Sequence, residues 1–280
     1  MAKRNKLVMP FLKWVGGKRQ LMTEIEPLLP TRISTYYEPF VGGGAVFLHT
    51  QPKKAVINDY NSELINVYET IRDNVDALIA HLAIHENNSE YFYQIRALDR
   101  QEGFNELSKV ERASRVIYLN KTCFNGLYRV NSSGEFNTPF GRYKNPNIIN
   151  ETVLRAVSNY LQKNDIKLLN GDYQDALKNI RKGSFVYFDP PYDPVSKSSN
   201  FTGYVQGGFD DKEQERLRDT CVKLNEKGIN FLLSNSATEL MKDLYSHKDF
   251  QIIEVGATRH INSVGSKRGE VKEILVRNYG

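Results

Sequence analysis

Cysteine is nearly missing from this chain. Its 280 residues hold two, Cys123 and Cys221. Their separation matches no zinc-ligand spacing, and two thiols make no disulfide scaffold. A metal is therefore not expected, and a reducing, cytoplasmic setting is. No apolar run approaches the length of a membrane span, so no membrane partner is expected. Internal repeats and low-complexity stretches are also missing, which excludes solenoids and long disordered linkers. Two glycine clusters, Gly16-Gly17-Lys18 and Gly42-Gly43-Gly44, lack the residues that would complete a P-loop. Neither has the spaced G-x-G-x-x-G of a dinucleotide site, so a nicotinamide oxidoreductase loses its signature.

What is present is a globular composition, 40% hydrophobic and 25% charged. The formal net charge is +5, with sixteen Tyr and fourteen Phe. Such a surface favours a polyanionic partner, and the rings suit base stacking.

Short apolar runs ending in polar residues read as strands. They fall at Tyr36-Tyr37-Glu38, Ala55-Val56-Ile57, Ile166 to Leu169, Phe185 to Phe188, Asn230 to Ser234, Gln251 to Val255 and Glu273 to Val276. Asp211 to Glu226 is helical in pattern. Between the second and third strands the spacing turns helical: Ile65, Tyr68, Ile71, Leu78, Ile79 and Leu82 mark one helix, Val110 to Leu119 another. Leu127 to Val130 and Glu135 to Asn137, split by Asn131-Ser132-Ser133-Gly134, give a hairpin signal. The pattern is α/β, interrupted and then resumed. It predicts a Rossmann-like sheet formed by residues 1–60 and 150–280, with 61–149 inserted as a helical module carrying a β-hairpin.

Asp189-Pro190-Pro191-Tyr192 carries the most chemistry. Its carboxylate sits at a strand's C-terminal end, where open α/β sheets keep their ligand crevice. Two prolines forbid helix and ladder, so the chain leaves the sheet in one stiff direction. A carboxylate, a backbone carbonyl and the Tyr192 ring together suit a planar ring bearing an amino group. The plainer alternative is a Pro-Pro turn with a solvated Asp. Gly42-Gly43-Gly44 after a strand lets a ligand approach the backbone, and Asp59 at the next strand's end suits ribose hydroxyls. Asp172 with Tyr173 suits an adenine moiety, or equally caps the helix that follows.

In order along the chain, these pieces resemble the Dam family of DNA N6-adenine methyltransferases, including its Dpn-type members, and the alpha group of amino-methyltransferases. The resemblance rests on Phe11 to Lys18, Glu38 to Gly44, Asp59, Asp189 to Tyr192, and the segments Asn125 to Arg129 and Glu135 to Tyr143. It implies S-adenosylmethionine as methyl donor and adenine in GATC of double-stranded DNA as target. It implies cofactor contacts at Trp14, Lys18, Asp59 and Asp189, with Phe40, Gly42 and Asp172 as further candidates. Asp189, Pro190 and Tyr192 become the catalytic set. Arg129 matches an arginine that reads a guanine and Lys13 a lysine near the first guanine; Asn125, Leu127, Asn137, Pro139 and Tyr143 fall at neighbouring recognition positions. The function implied is site-specific adenine methylation, as regulator or as the modification half of a restriction–modification system whose endonuclease shares the site without direct contact.

Cytosine N4 in DNA, adenine in RNA, and a non-catalytic DNA-binding relative are the alternatives left open. Asp193 to Phe209, with Phe201 and Tyr204, reads as a loop closing over an extruded base. Lys121, Arg142, Lys144 and the stretch Arg259 to Lys272, with Lys267 and Arg268, read as phosphate contacts.

Overall fold

The computed structural model describes residues 4–14, 16–193, 209–258 and 270–280. The expected closing loop beyond Asp193, with Phe201 and Tyr204, and the basic stretch with Lys267 and Arg268 lie outside the described residues.

The strands are β1 (Tyr36–Glu38), β2 (Lys54–Asp59), β3 (Asp165–Asn170), β4 (Phe185–Phe188), β5 (Asn230–Ser236), β6 (Gln251–Thr258) and β7 (Glu270–Arg277). The helices are α1 (Met22–Ile25), α2 (Ala45–Thr50), α3 (Ser62–Asp73), α4 (Val75–Leu82), α5 (Ser89–Ala97), α6 (Lys109–Thr122), α7 (Glu151–Lys163), α8 (Tyr173–Ala176), α9 (Asp211–Glu226) and α10 (Glu239–Leu244). The strands form one seven-stranded sheet in the order β3-β2-β1-β4-β5-β7-β6. Neighbours from β3 through β5 pair in parallel, and β7 lies antiparallel to both β5 and β6. The expected α/β, Rossmann-like sheet is therefore present.

The apolar run of β4 reads as continuous because the strand is covered on both faces. Pleating sends alternate residues to opposite sides. Tyr36, Phe185, Tyr187, Leu232 and Leu275 join one buried cluster, while Tyr37, Val186, Phe188, Leu233 and Ile274 join a second. From β1 the chain winds outward to β3, then crosses to β4 on the other side of β1. The order reverses between β1 and β4, and such a reversal opens a crevice at the strands' C-terminal ends. Asn58 clamps that end of the sheet: its amide donates to the carbonyls of Pro39 and Gly171, both at 3.0 Å.

Helices α3 to α7 fall between β2 and β3, α3 to α6 of them within residues 61–149. Ile65, Tyr68, Leu78, Leu82, Val116 and Leu119 all belong to the first cluster, so this segment shares the sheet's core. The single helix expected over Ile65 to Leu82 is two. Asn74, at φ −140° and ψ 40°, breaks it and bonds its own N–H to the Thr70 carbonyl at 2.8 Å. Asparagine competes with the helical backbone, and apolar periodicity runs on across such a break. A capping box of Ser108 and Glu111 starts α6.

The expected hairpin is present in reduced form. One bridge joins Val130 to Phe136 and another joins Cys123 to Phe140. Asn137 N–H donates to the Arg129 carbonyl and Asn131 N–H to the Glu135 carbonyl, each at 2.9 Å. Asp99 holds the hairpin to the helices. Its carboxylate accepts the Phe136 N–H at 2.8 Å and pairs with the buried Arg115 at 2.7 Å.

Candidate active site and recognition face

Asp189 leaves β4 at the switch point, and what meets it there comes from the N-terminus. The Lys18 ammonium lies 2.7 Å from Asp189 Oδ1 and is 3% exposed. It also donates to the Gly16 carbonyl and sits 4.6 Å above the centre of the Tyr192 ring. One cation thus touches both the carboxylate and the aromatic face of the motif. Burial pushes the Asp189 carboxyl up, Lys18 pulls it back, and Glu273 adds to the rise. Glu38, at the end of β1, is pushed well above the carboxylate range by burial, against a hydrogen bond from Tyr36.

Side chains of β5 and α9 fix the backbone of the motif, and β7 holds the Tyr192 side chain. Gln214 donates to the Pro191 carbonyl at 2.9 Å, and Asn235 donates to Gln214 at 3.1 Å. Asn235 Oδ1 accepts the Asp193 N–H at 3.2 Å, and Ser236 Oγ donates to the Asp193 carbonyl at 2.9 Å. Tyr192 is therefore flanked on both sides by held peptide groups. Ser234 Oγ lies within hydrogen-bond distance of both Tyr187 OH, 2.9 Å, and Asp189 Oδ1, 3.3 Å. The Tyr192 hydroxyl donates to Glu273 at 2.7 Å. Sequence reasoning missed Ser234, Asn235, Gln214 and Glu273. They lie on other elements, and no local pattern ties them to the motif.

Asp59 ends β2 and receives the N–H groups of Gly42 at 2.9 Å and Asn61 at 3.0 Å. The glycine turn is tight for internal reasons. A Cβ on Gly42 would lie 2.7 Å from the Trp14 ring, and one on Gly44 2.5 Å from the Tyr68 hydroxyl. Phe40 packs against Tyr173 and Phe209, at 5.1 and 5.7 Å between ring centres. Asp172 caps α8 through the Gln174 N–H and takes a two-pronged pair from Arg216, both contacts at 2.8 Å. Burial would raise its carboxyl, but Arg216 and the Gln174 N–H hold it below the usual value.

The recognition candidates other than Lys13 lie on one segment, Asn125 to Tyr143, which Asn120 and Tyr128 join to the N-terminal residues Lys13 and Trp14. Trp14 stacks on Tyr128 at 5.0 Å and 24°, coupling the N-terminal motif to the hairpin. Asn120 does the same for the backbone. It accepts the Lys13 N–H and donates to the Lys13 and Gly126 carbonyls, at 2.9, 2.8 and 3.0 Å. Gly126 has φ +66°, and a Cβ there would meet the Lys13 side chain at 2.5 Å. Lys13, Asn125, Pro139 and Tyr143 are exposed. Leu127 is half-buried, its carbonyl accepting from Thr138 at 2.6 Å. Arg129 Nε donates to Asn137 Oδ1 at 2.6 Å. Burial and the nearby Lys13 lower the Lys121 ammonium. Phe124 is exposed beside Asn125.

A switch-point crevice lined by a carboxylate, two prolines and a tyrosine suits a planar ring that bears an amino group. Residues 14–261 match the model for D12 class N6 adenine-specific DNA methyltransferases. The chain is 47% identical to the type II methyltransferase M1.LlaDCHI of Lactococcus lactis subsp. cremoris, covering 100% of this chain and 99% of that protein. It is 42% identical to the type II methyltransferase M.MjaIII of Methanocaldococcus jannaschii, covering 97% and 99%. It is 36% identical to the DNA adenine methylase of Escherichia coli K12, covering 95% and 93%. The chain belongs to the D12 class of N6 adenine-specific DNA methyltransferases.

Proposed function

We propose that this enzyme methylates the adenine of GATC in duplex DNA with S-adenosylmethionine as donor, and serves as the modification half of a restriction–modification system. The observation that carries the reading is the cluster of Lys18, Asp189 and Tyr192 at the switch point, beside a hairpin that presents Arg129. The type II methyltransferase names of the two relatives at 47% and 42% identity favour the modification role. Its functional partner is then an endonuclease of the same site, acting without direct contact. In this reading residues 61–149 are the target-recognition module, and 1–60 with 150–280 the catalytic domain.

The donor's demands fit the residues present. A carboxylate has about four acceptor positions. Asp59 spends two on Gly42 and Asn61 and keeps capacity for ribose hydroxyls. Asp172 spends three and has less to give. Phe40 and Trp14 offer apolar surface, and Lys18 keeps a hydrogen for a carboxylate. When bound, the donor supplies a methyl group on a sulfonium, already a good electrophile.

The protein's own work lies in alignment and electrostatics. The adenine amino nitrogen is a poor nucleophile because its lone pair is delocalised into the ring. Accepting its two hydrogens at the Asp189 carboxylate and the Pro190 carbonyl favours the pyramidal nitrogen that attacks. The Pro191 carbonyl is already taken by Gln214; among the described residues, Pro190's has no protein donor. Duplex DNA hides the amino group, so the base is extruded at a cost of roughly a few kcal/mol, offset partly by stacking on Tyr192. Asp189 acts ionised, which the neighbouring ammonium favours despite burial.

The test is methyl transfer from labelled S-adenosylmethionine to unmethylated plasmid, mapped by nuclease sensitivity at GATC and by nucleoside analysis. N6-methyladenine confined to GATC is expected. N6-methyladenine elsewhere would keep the chemistry and discard the target; N4-methylcytosine or no label in DNA would discard the reading.

A further inference from the structure

Glu273 is a buried carboxylate on the antiparallel strand β7, 8% exposed, and lies opposite Ser236 of β5 and Val255 of β6. By the pleat it shares a face with Leu275, which joins the same cluster as Tyr187 and Leu232. That face carries Ser234 and leads to Asp189. Burying a carboxylate is costly unless it is hydrogen-bonded. Glu273 receives the Tyr192 hydroxyl at 2.7 Å. Tyr192 has few other ways to fix its ring. Its flanking peptides are held by Gln214, Asn235 and Ser236, but those bonds leave the rotation of the side chain free.

We infer that Glu273 is a positioning residue of the methyl transfer: its carboxylate locks the Tyr192 ring in the plane on which the target base stacks. The inference rests on the proposed role of Tyr192 and adds the group that sets its orientation. A phenol pinned at its far end cannot swing about its first side-chain torsion, so the ring face meets the extruded base without prior ordering. The same carboxylate faces Asp189 across the motif, and its negative charge opposes ionisation there. Ser234 and Lys18 face Asp189 from β5 and from the N-terminal segment, and Glu38 from β1.

The experiment is single-turnover methylation of duplex DNA by Glu273→Ala, Glu273→Gln, Tyr192→Phe, the double variant Glu273→Ala/Tyr192→Phe, and Asp189→Ala. Melting curves check that each variant is folded. Glu273→Ala is expected to lose about tenfold in rate with DNA affinity retained. Because both lesions cut one link, the double variant should be no slower than the slower single variant. Glu273→Gln keeps an acceptor for the hydroxyl and removes the charge. It should restore most of the rate and move the acid limb of the pH profile to lower pH, since Asp189 then ionises more easily. A wild-type rate for Glu273→Ala, or losses that multiply fully in the double variant, would overturn the inference. Turnover by Asp189→Ala would instead overturn the reading of the site itself.

Discussion

The crevice at the end of β4 and the hairpin after α6 are built to different rules. In the crevice a buried ion pair, Lys18 with Asp189, sits inside a shell of side chains from β1, β5, β7 and α9. On the hairpin two isolated bridges and a few side-chain bonds hold Arg129 and Asn137 half-buried, with Ser132, Ser133 and Gly134 exposed at the tip and Asn125, Pro139 and Tyr143 exposed on its flanks. Transition-state stabilisation needs groups that do not reorganise during the reaction, and buried, mutually bonded groups meet that need. Reading a base edge needs side chains that project from the protein into a groove, and a ribbon presents them. On the proposed roles, mutually bonded groups are dense where chemistry would be done and sparse where sequence would be read. Trp14 on Tyr128, and Asn120 between Lys13 and Gly126, are the joints between the two.

The harshest way to break this contrast is Asp189→Asn. It keeps the shape and removes the charge, and methyl transfer should fall by about a thousandfold, as when one preorganised group of an active site is lost. It should also cost stability, because Lys18 is left buried without its anion. Breaking a buried pair from one side typically costs about 3–5 kcal/mol. Adding Lys18→Met should return much of the melting temperature and none of the activity. Single-turnover labelling and thermal melts read the two effects separately. A rate within tenfold of the wild type would remove Asp189 from the chemistry, and a double variant no more stable than the single would remove the pair from the fold's support.

On the hairpin the same kind of lesion should leave the fold alone. Arg129→Ala is expected to lose about 1–3 kcal/mol of discrimination at one guanine, roughly five- to 150-fold, with little change in melting. Asn137→Ala removes the acceptor that holds Arg129 Nε and should lose part of the same discrimination. Rates on a panel of single-base variants of the site measure both. A uniform loss across all sequences, with a shallower salt dependence, would place Arg129 on a phosphate instead.

The parts legible in the sequence are those whose signal is local. The strands were legible because buried parallel strands are short apolar runs, and the acid–Pro–Pro–Tyr motif because proline pairs have few uses at a strand's end. Strand ends were less so: β5 runs to Ser236 and β6 to Thr258, where polar residues continue the ladder. What stayed hidden is what the tertiary fold assembles. Nothing near Lys18 says that it lies on Asp189, and nothing near Glu273 says that it holds Tyr192. The Gly42-Gly43-Gly44 turn was legible as glycine-dependent, yet at Gly42 and Gly44 the close neighbours are Trp14 and Tyr68 of the chain itself. Asp172 was read with its helix-capping role beside a ligand role, and the cap, strengthened by Arg216, is what its bonds display.

The helices before the hairpin have an anchor of their own, and it titrates. His85 bonds the Tyr91 hydroxyl at 2.8 Å and Ser114 Oγ at 2.9 Å, and stacks on Tyr118 at 4.4 Å. Burial, with the neighbouring His81, lowers it from the usual 6.5 to about 4. The folded state then binds fewer protons than the unfolded chain. Its contribution is therefore whole above about pH 6.5 and lost progressively as pH falls toward 4. The helices around it should loosen on mild acidification. The expected effect is small, about 3 °C of melting temperature between pH 7.5 and 5.0. His85→Gln keeps a hydrogen-bonding side chain that does not titrate, so its melting temperature should fall less over that interval whatever its absolute value. Amide exchange should localise the wild-type loss to α4, α5 and α6, with β4 and β5 unchanged. Equal pH dependence in the two proteins, or exchange spread evenly over the sheet, would mean that the module and the crevice melt as one unit and that the contrast between them is one of exposure alone.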